Sequence, residues 1–150
     1  MRLILTDRAL RVAVPDDGKT AYVDLTTRKI ARCVGCFGCW TRTPGRCVIR
    51  DDATRIYPLI ARSDTLLYVS RIRYGGYDTV MKTMLERAIP VQQAFIRVVD
   101  GETHHEQRAV VPKRATLVAH RGATPLEQGL LRPLVARNAR NMNFTEHRVL

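Results

Sequence analysis

The sequence predicts one α/β domain built on a mostly parallel sheet. Three observations carry that prediction. The chain has 150 residues, 45% of them hydrophobic, enough for one buried core. Short apolar runs alternate with amphipathic helical stretches, the order that produces parallel strands joined by helices. No fixed-period repeat is present that would favour a solenoid or a coiled coil.

Arg2 to Leu5 reads as a short buried strand that stops at Thr6-Asp7. Leu10 to Val14 and Ala21 to Leu25 carry strand-like residues on either side of the turn Pro15-Asp16-Asp17-Gly18. A glycine-rich cysteine segment follows and reads as a loop or a frayed helix start. Asp51-Asp52 then caps a helix with Ala53, Ile56, Leu59 and Ile60 on one face, ending near Ser63-Asp64. Thr65 to Ser70 is a near-continuous apolar run, the pattern of a strand covered on both faces. The loop Arg71 to Asp78 leads into a helix bearing Val80, Met81, Met84, Leu85 and Ala88, which Pro90 ends or kinks. Residues 100–112 are polar and read as an excursion; Ala115 to Ala119 is another buried strand. Thr124-Pro125-Leu126-Glu127 is a capping box with proline at the first helical position. Leu126, Leu130 and Leu134 share a face of that helix, although Pro133 argues against a straight one. Thr145 to Val149 is the last strand. In such a sheet ligands bind at the carboxyl ends of the strands, which points to the loops after Leu5, Ser70 and Ala119.

Composition narrows the function classes. No apolar run is long enough for a membrane span, and Met1 leads into a strand and not a signal peptide, so a cytoplasmic protein without membrane contact is expected. The formal net charge of +11 is almost all arginine. Because the arginines form no dense stripe, nucleic-acid binding rests on charge alone and is the weakest reading. No Ser-His-Asp order, carboxylate dyad or Walker-type loop marks a hydrolase or nucleotidase.

The four cysteines, Cys33, Cys36, Cys39 and Cys47, are spaced C-x2-C-x2-C-x7-C, a cluster unlike a secreted disulfide framework. Four thiolates suit a [4Fe-4S] cluster or a tetrahedral zinc ion; equally, the cysteines act as small buried hydrophobes with no metal.

The run Cys33-Val34-Gly35-Cys36-Phe37-Gly38-Cys39-Trp40, then Thr43-Pro44-Gly45-Arg46-Cys47-Val48-Ile49 and Asp51-Asp52, resembles the flavodoxin-like NADPH-dependent FMN reductases and iron-sulfur flavoproteins. So does Ser70-Arg71-Ile72-Arg73-Tyr74-Gly75-Gly76, with Lys82 and Leu85-Glu86-Arg87 after it. The resemblance spans about residues 30–90 and implies a flavodoxin-like three-layer sandwich with a five-stranded sheet, filling residues 1–150 as a single domain with its first βα unit reduced. It implies FMN held over the loop Ser70, Arg71, Ile72, Arg73, Tyr74, Gly75, Gly76 and over the loop from His120 to Ala123. It favours a cluster over zinc on the four cysteines. It implies an oxidoreductase of the NAD(P)H-dependent FMN reductase or electron-transfer type, with a nicotinamide nucleotide as partner. A homodimer or higher homo-oligomer through the helix after Asp78 is implied too, with Met81, Met84 and Leu85 as spare apolar surface. No single catalytic side chain is singled out.

Tyr74 and Tyr77 flank glycines whose missing side chains let a flat ring approach, and are either stacking partners or half-buried loop aromatics. Trp40 covers a ring or packs, and His104-His105 and His120 donate hydrogen bonds at a surface or at a flavin. Two departures favour an alternative. The first strand lacks the family's Gly-Ser-Pro-Arg-type phosphate loop and following helix, and Arg71 and Arg73 stand where a proline and an aromatic are usual. The alternative is a degenerate flavodoxin-like binding or scaffold protein that no longer holds FMN.

Overall fold

The computed structural model describes residues 1–11, 13–120 and 123–150. Its first strands are β1 (Arg2–Thr6) and β2 (Thr20–Asp24), paired in parallel. A 3-10 turn at Leu25–Thr27 follows, capped by the Asp24 carboxylate, and the cysteine segment then holds one short helix, α1 (Gly38–Thr41). Next come α2 (Ala53–Arg62), β3 (Thr65–Arg73), a short return strand β4 (Gly76–Tyr77) and α3 (Thr79–Glu86). After a 3-10 turn at Ile89–Val91, β5 (Gln92–Val99) and β6 (Glu102–Gln107) form a separate antiparallel hairpin. The chain finishes with β7 (Lys113–His120), α4 (Pro125–Asn141) and β8 (Phe144–Val149).

The main sheet runs β2-β1-β3-β7-β8, all pairs parallel, with β4 added antiparallel at the end of β3. Numbered along the chain, the five parallel strands lie in the order 2-1-3-4-5, that of the flavodoxin-like doubly wound sheet. The expected fold class is therefore met.

Local chemistry explains the helices. Asp51 accepts a hydrogen bond from the Ala53 N–H at the start of α2, which buries Ala53, Ile56, Tyr57 and Ile60. Asp78 accepts from the Thr79 N–H to start α3. In α4 the capping box is complete: Thr124 accepts from the Glu127 N–H, and the Glu127 carboxylate accepts from the Thr124 N–H.

One cluster joins these helices to one face of the sheet. Leu3, Leu5, Leu66, Tyr68, Ala115 and Leu117 pack with residues of α2, with Met81 and Met84 of α3, and with Leu131 and Val135 of α4. Strand residues alternate between faces. Ile4, Leu67, Thr116 and Val118 point the other way and stay half-buried. The β1–β2 connection that would carry a helix over that face is coil in its described residues, as the reduced first unit predicts.

Several expectations need correction. Leu10 to Val14 forms no strand in its described residues; Val12 lies outside them. In the Thr65–Ser70 run Leu66 and Tyr68 are buried on the helix-covered face and Val69 on the other, where Leu67 is half-buried, so both faces are covered and the second less completely. The polar excursion is the end of a hairpin, whose other strand exposes Phe95, Ile96 and Val98. In α4 the buried stripe is Leu131, Val135 and Ala139, while Leu126, Leu130 and Leu134 are 74%, 54% and 38% exposed. α4 runs without interruption through Pro133. Met81 and Met84 are fully buried in the core, so they offer no spare surface to a second subunit.

Candidate functional site at the strand ends

Three parallel strands end side by side at Thr6, Ser70–Arg71 and His120, and Asp7 ties them together. The chain leaves β1 with the Asp7 N–H donating to the Val69 carbonyl at 3.1 Å. The Asp7 carboxylate then accepts from the Ser70 hydroxyl and the Arg71 N–H, each at 2.8 Å, through Oδ2. Its Oδ1 lies 2.9 Å from His120 Nε2. Since a carboxylate oxygen accepts, Nε2 carries the proton, and Nδ1, which is buried, has no partner among the described residues. The Asp7 side chain is only 4% exposed.

A cleft of about 420 Å³ opens here, lined by Asp7, Arg8, Arg11, Arg71, Asp78 and His120, with Ala9 and Val80. That volume lies in the range of small-molecule and cofactor sites. Three guanidinium groups face two carboxylates, one of which, Asp7, is committed to internal bonds; Arg71 Nε stands 3.8 Å from the Asp78 carboxylate. The cleft suits an anionic ligand gripped by arginine forks. Among the described residues no helix N-terminus follows β1 to provide a preorganised nest of N–H groups.

The residues expected around this site divide. Arg71 and His120 line the cleft, whereas Ser70 and Ile72 are buried and the Ser70 hydroxyl is spent on Asp7. Arg73 lies over the Tyr74 ring at 5.4 Å, and Tyr74 is 86% exposed. Tyr74 and Gly75 form the β3–β4 turn, both at positive φ, and the Tyr74 N–H donates to Glu127 at 2.7 Å. The space left by the missing Gly75 side chain is filled by Leu130 of α4, which a Cβ would meet at 2.6 Å; Gly76 faces Leu134. Tyr77 is packed against α4; burial pushes its phenol up to about 12, opposed by its hydrogen bond with Asn138. Arg121 and Gly122, in the loop expected to face the ligand, lie outside the described residues. Asp7 and Asp78 were not singled out from sequence; an acid directly after a strand at the order-reversal point is the signal for Asp7.

The four cysteines form a second constellation. All are free thiols and line one small pocket; Cys33 and Cys36 are exposed, Cys47 half-buried and Cys39 buried. Burial pushes the Cys39 thiol up, and the nearby Cys47, Cys33 and Cys36 add to it. Among the described residues no three His, Cys, Asp or Glu side chains converge closely enough to hold one metal ion. Trp40 packs here: its ring lies 5.3 Å from Phe37 and 4.7 Å from His105 of β6, and its indole N–H donates to Ile89 O at 3.4 Å. His104 is buried, 3.2 Å from Glu102.

No family model matches the sequence. Over 86 residues the chain is 30% identical to an iron-sulfur flavoprotein of Archaeoglobus fulgidus, covering 57% of this chain and 38% of that one. Over 92 residues it is 25% identical to an iron-sulfur flavoprotein of Methanocaldococcus jannaschii, covering 61% of this chain and 47% of the relative. The chain is similar to the iron-sulfur flavoproteins. The match nevertheless spans less than half the length of these relatives. Solved structures confirm the fold across the whole chain. The azoreductase AzrA superposes with a TM-score of 0.63 at 10% identity, over 99% of this chain and 84% of its own. RosB, solved with a bound riboflavin-phosphate derivative, gives 0.61 at 14% identity, over 99% and 64%. An FMN-dependent NADH-azoreductase of Bacillus anthracis, in complex with FMN, gives 0.59 at 7% identity, over 99% and 84%. No helix among the described residues is long and apolar enough to cross a membrane.

Proposed function

We propose that this chain is the flavin-holding domain of a flavodoxin-like flavoprotein oxidoreductase, with FMN in the strand-end cleft. The observation that carries this reading is the cleft itself: it lies where the strand order reverses and gathers Arg8, Arg11 and Arg71. Those arginines hold the phosphate in place of a helix N-terminus. The flavin, when bound, supplies the electron chemistry, and the protein supplies binding and orientation. Asp7 fixes the His120 ring through Nε2 at the wall of the cleft. A nicotinamide nucleotide as donor and a homo-oligomeric state belong to the same reading and are proposals with it.

We assign the four cysteines to a [4Fe-4S] cluster in this reading. A single zinc ion would draw four sulfurs to about 3.8 Å of one another, given Zn–S bonds of about 2.3 Å. A four-iron cluster takes each thiolate on a different iron and accepts a wider ring. The four thiols line one pocket, and the likeness to the iron-sulfur flavoproteins supports the cluster over zinc.

A second reading, a domain of this fold that no longer holds FMN, is favoured by the coil after β1 and by Asp7 standing where a phosphate loop would begin. FMN fluorescence quenching decides between them. The wild type is expected to bind FMN more tightly than riboflavin, and Arg8→Ala and Arg11→Ala each to weaken FMN about tenfold or more while leaving riboflavin unchanged. Equal, weak binding of both flavins would establish the second reading.

A further inference from the structure

The cysteine loop is a long excursion whose two ends meet at one buried guanidinium. Arg87 follows α3 and is 1% exposed. Its Nη1 donates to the Ala31 carbonyl at 2.8 Å and to Asp51 Oδ2 at 2.6 Å; its Nη2 donates to the Ile49 carbonyl at 3.1 Å and to Asp51 Oδ1 at 3.0 Å. Ala31 precedes the first cysteine, and Ile49 and Asp51 follow the last. Asp51 also accepts from the Ala31 N–H at 2.8 Å, and Asp52 from the Lys29 N–H at 2.8 Å. Protein groups alone therefore close the neck of the loop.

One donor of the fork is left over. The Arg87 Nε–H is buried and has no hydrogen-bond partner among the described residues, which is rare because an unpaired buried donor keeps its desolvation cost. Arg87 lines the same pocket as all four cysteines. Burial lowers its pKa, but the Asp51 hydrogen bond and the charges of Cys47 and Asp51 hold it above the ordinary value, which places Cys47 beside the guanidinium.

We propose that Arg87 is the positioning residue of the cysteine site: it fixes the neck of the loop before any metal is bound, and its free Nε–H hydrogen-bonds the Cys47 thiolate in the loaded site. The second half rests on the cluster reading above. A charged donor beside a ligating sulfur stabilises the more negative, reduced state and so raises the reduction potential.

The test uses the full chain as wild type, Arg87→Lys and Arg87→Gln. In the metal-free state, trypsin reads the neck, because Arg32, Arg42, Arg46 and Arg50 are exposed cleavage sites within the loop. The wild type is expected to be cut there slowly and Arg87→Gln about tenfold faster or more. After reconstitution with iron and sulfide, the midpoint potential of Arg87→Gln is expected to be more negative than wild type. Arg87→Lys, which keeps the charge and serves if the glutamine variant does not fold, is expected to fall between. Equal loop cleavage in wild type and variants overturns the neck role; equal potentials overturn the thiolate role. A wild type that takes up no iron overturns the cluster reading and the thiolate role together, leaving the neck to be judged by trypsin.

Discussion

Lys113 opens β7 with its side chain 1% exposed, and among the described residues no carboxylate pairs with it. Its ammonium donates to the carbonyls of Ala61, at 3.3 Å, and Val111. Burial pulls its pKa down to about 8, partly offset by the charge of Asp64. In the unfolded chain the same group titrates near 10.4. The folded state therefore binds the proton less tightly, and the charged form costs stability at pH 7. That cost is relieved as pH rises from about 8 to about 10.4, so stability from this group increases across that window. Lys113→Met is expected to be more stable at pH 7 by about 1–3 kcal/mol and to lose the alkaline rise. Denaturant unfolding at pH 7, 8, 9 and 10 checks it; a wild type with no rise would contradict it. Single residues of this kind were the least legible in sequence. The cysteines declared themselves by spacing, but Lys113 and Arg87 look like ordinary surface cations until tertiary packing buries them.

The turn between β3 and β4 and the flank of α4 behave as one unit. Gly75 has φ +75°, and its missing side chain leaves room for Leu130. Gly75→Ala is expected to cost about 2–4 kcal/mol, combining left-handed strain with overpacking. The nearest Leu130 atom is its Cβ, which alanine would keep, so the relief is sought with Leu130→Gly: the double variant is expected to be less destabilised than the sum of the singles. Urea midpoints of the four proteins measure this, and strict additivity would rule out the contact. The same contact shows that the shared face of Leu126, Leu130 and Leu134 lies outside the core, beside the buried stripe. Leu126, Leu130 and Leu134 and the adjacent row Leu131, Val135 and Ala139 both recur every four residues, and spacing cannot rank two neighbouring stripes. The capping box and the strand runs were legible because their signals are local. The β5–β6 hairpin was not, since it packs few residues into the core and so lacks a strong buried pattern.

At the scale of the molecule, the parallel sheet was readable from its apolar runs, and its order places the cleft where ligand-facing loops were expected. Less readable was the uneven cover of that sheet, because the same run of Leu66, Leu67 and Tyr68 results whether one face or both are fully packed. Part of the net charge of +11 now has a place: Arg8, Arg11 and Arg71 line the cleft and Arg87 closes the cysteine loop. In the proposed function the strand-end cleft holds a flavin phosphate without a phosphate-binding helix. Anaerobic reconstitution with FMN, followed by gel filtration and a visible spectrum of the protein peak, tests it most directly. Flavin absorbance that co-elutes at about one FMN per chain, and that is lost in Arg8→Ala/Arg11→Ala, is the predicted result; a colourless wild-type peak would contradict it.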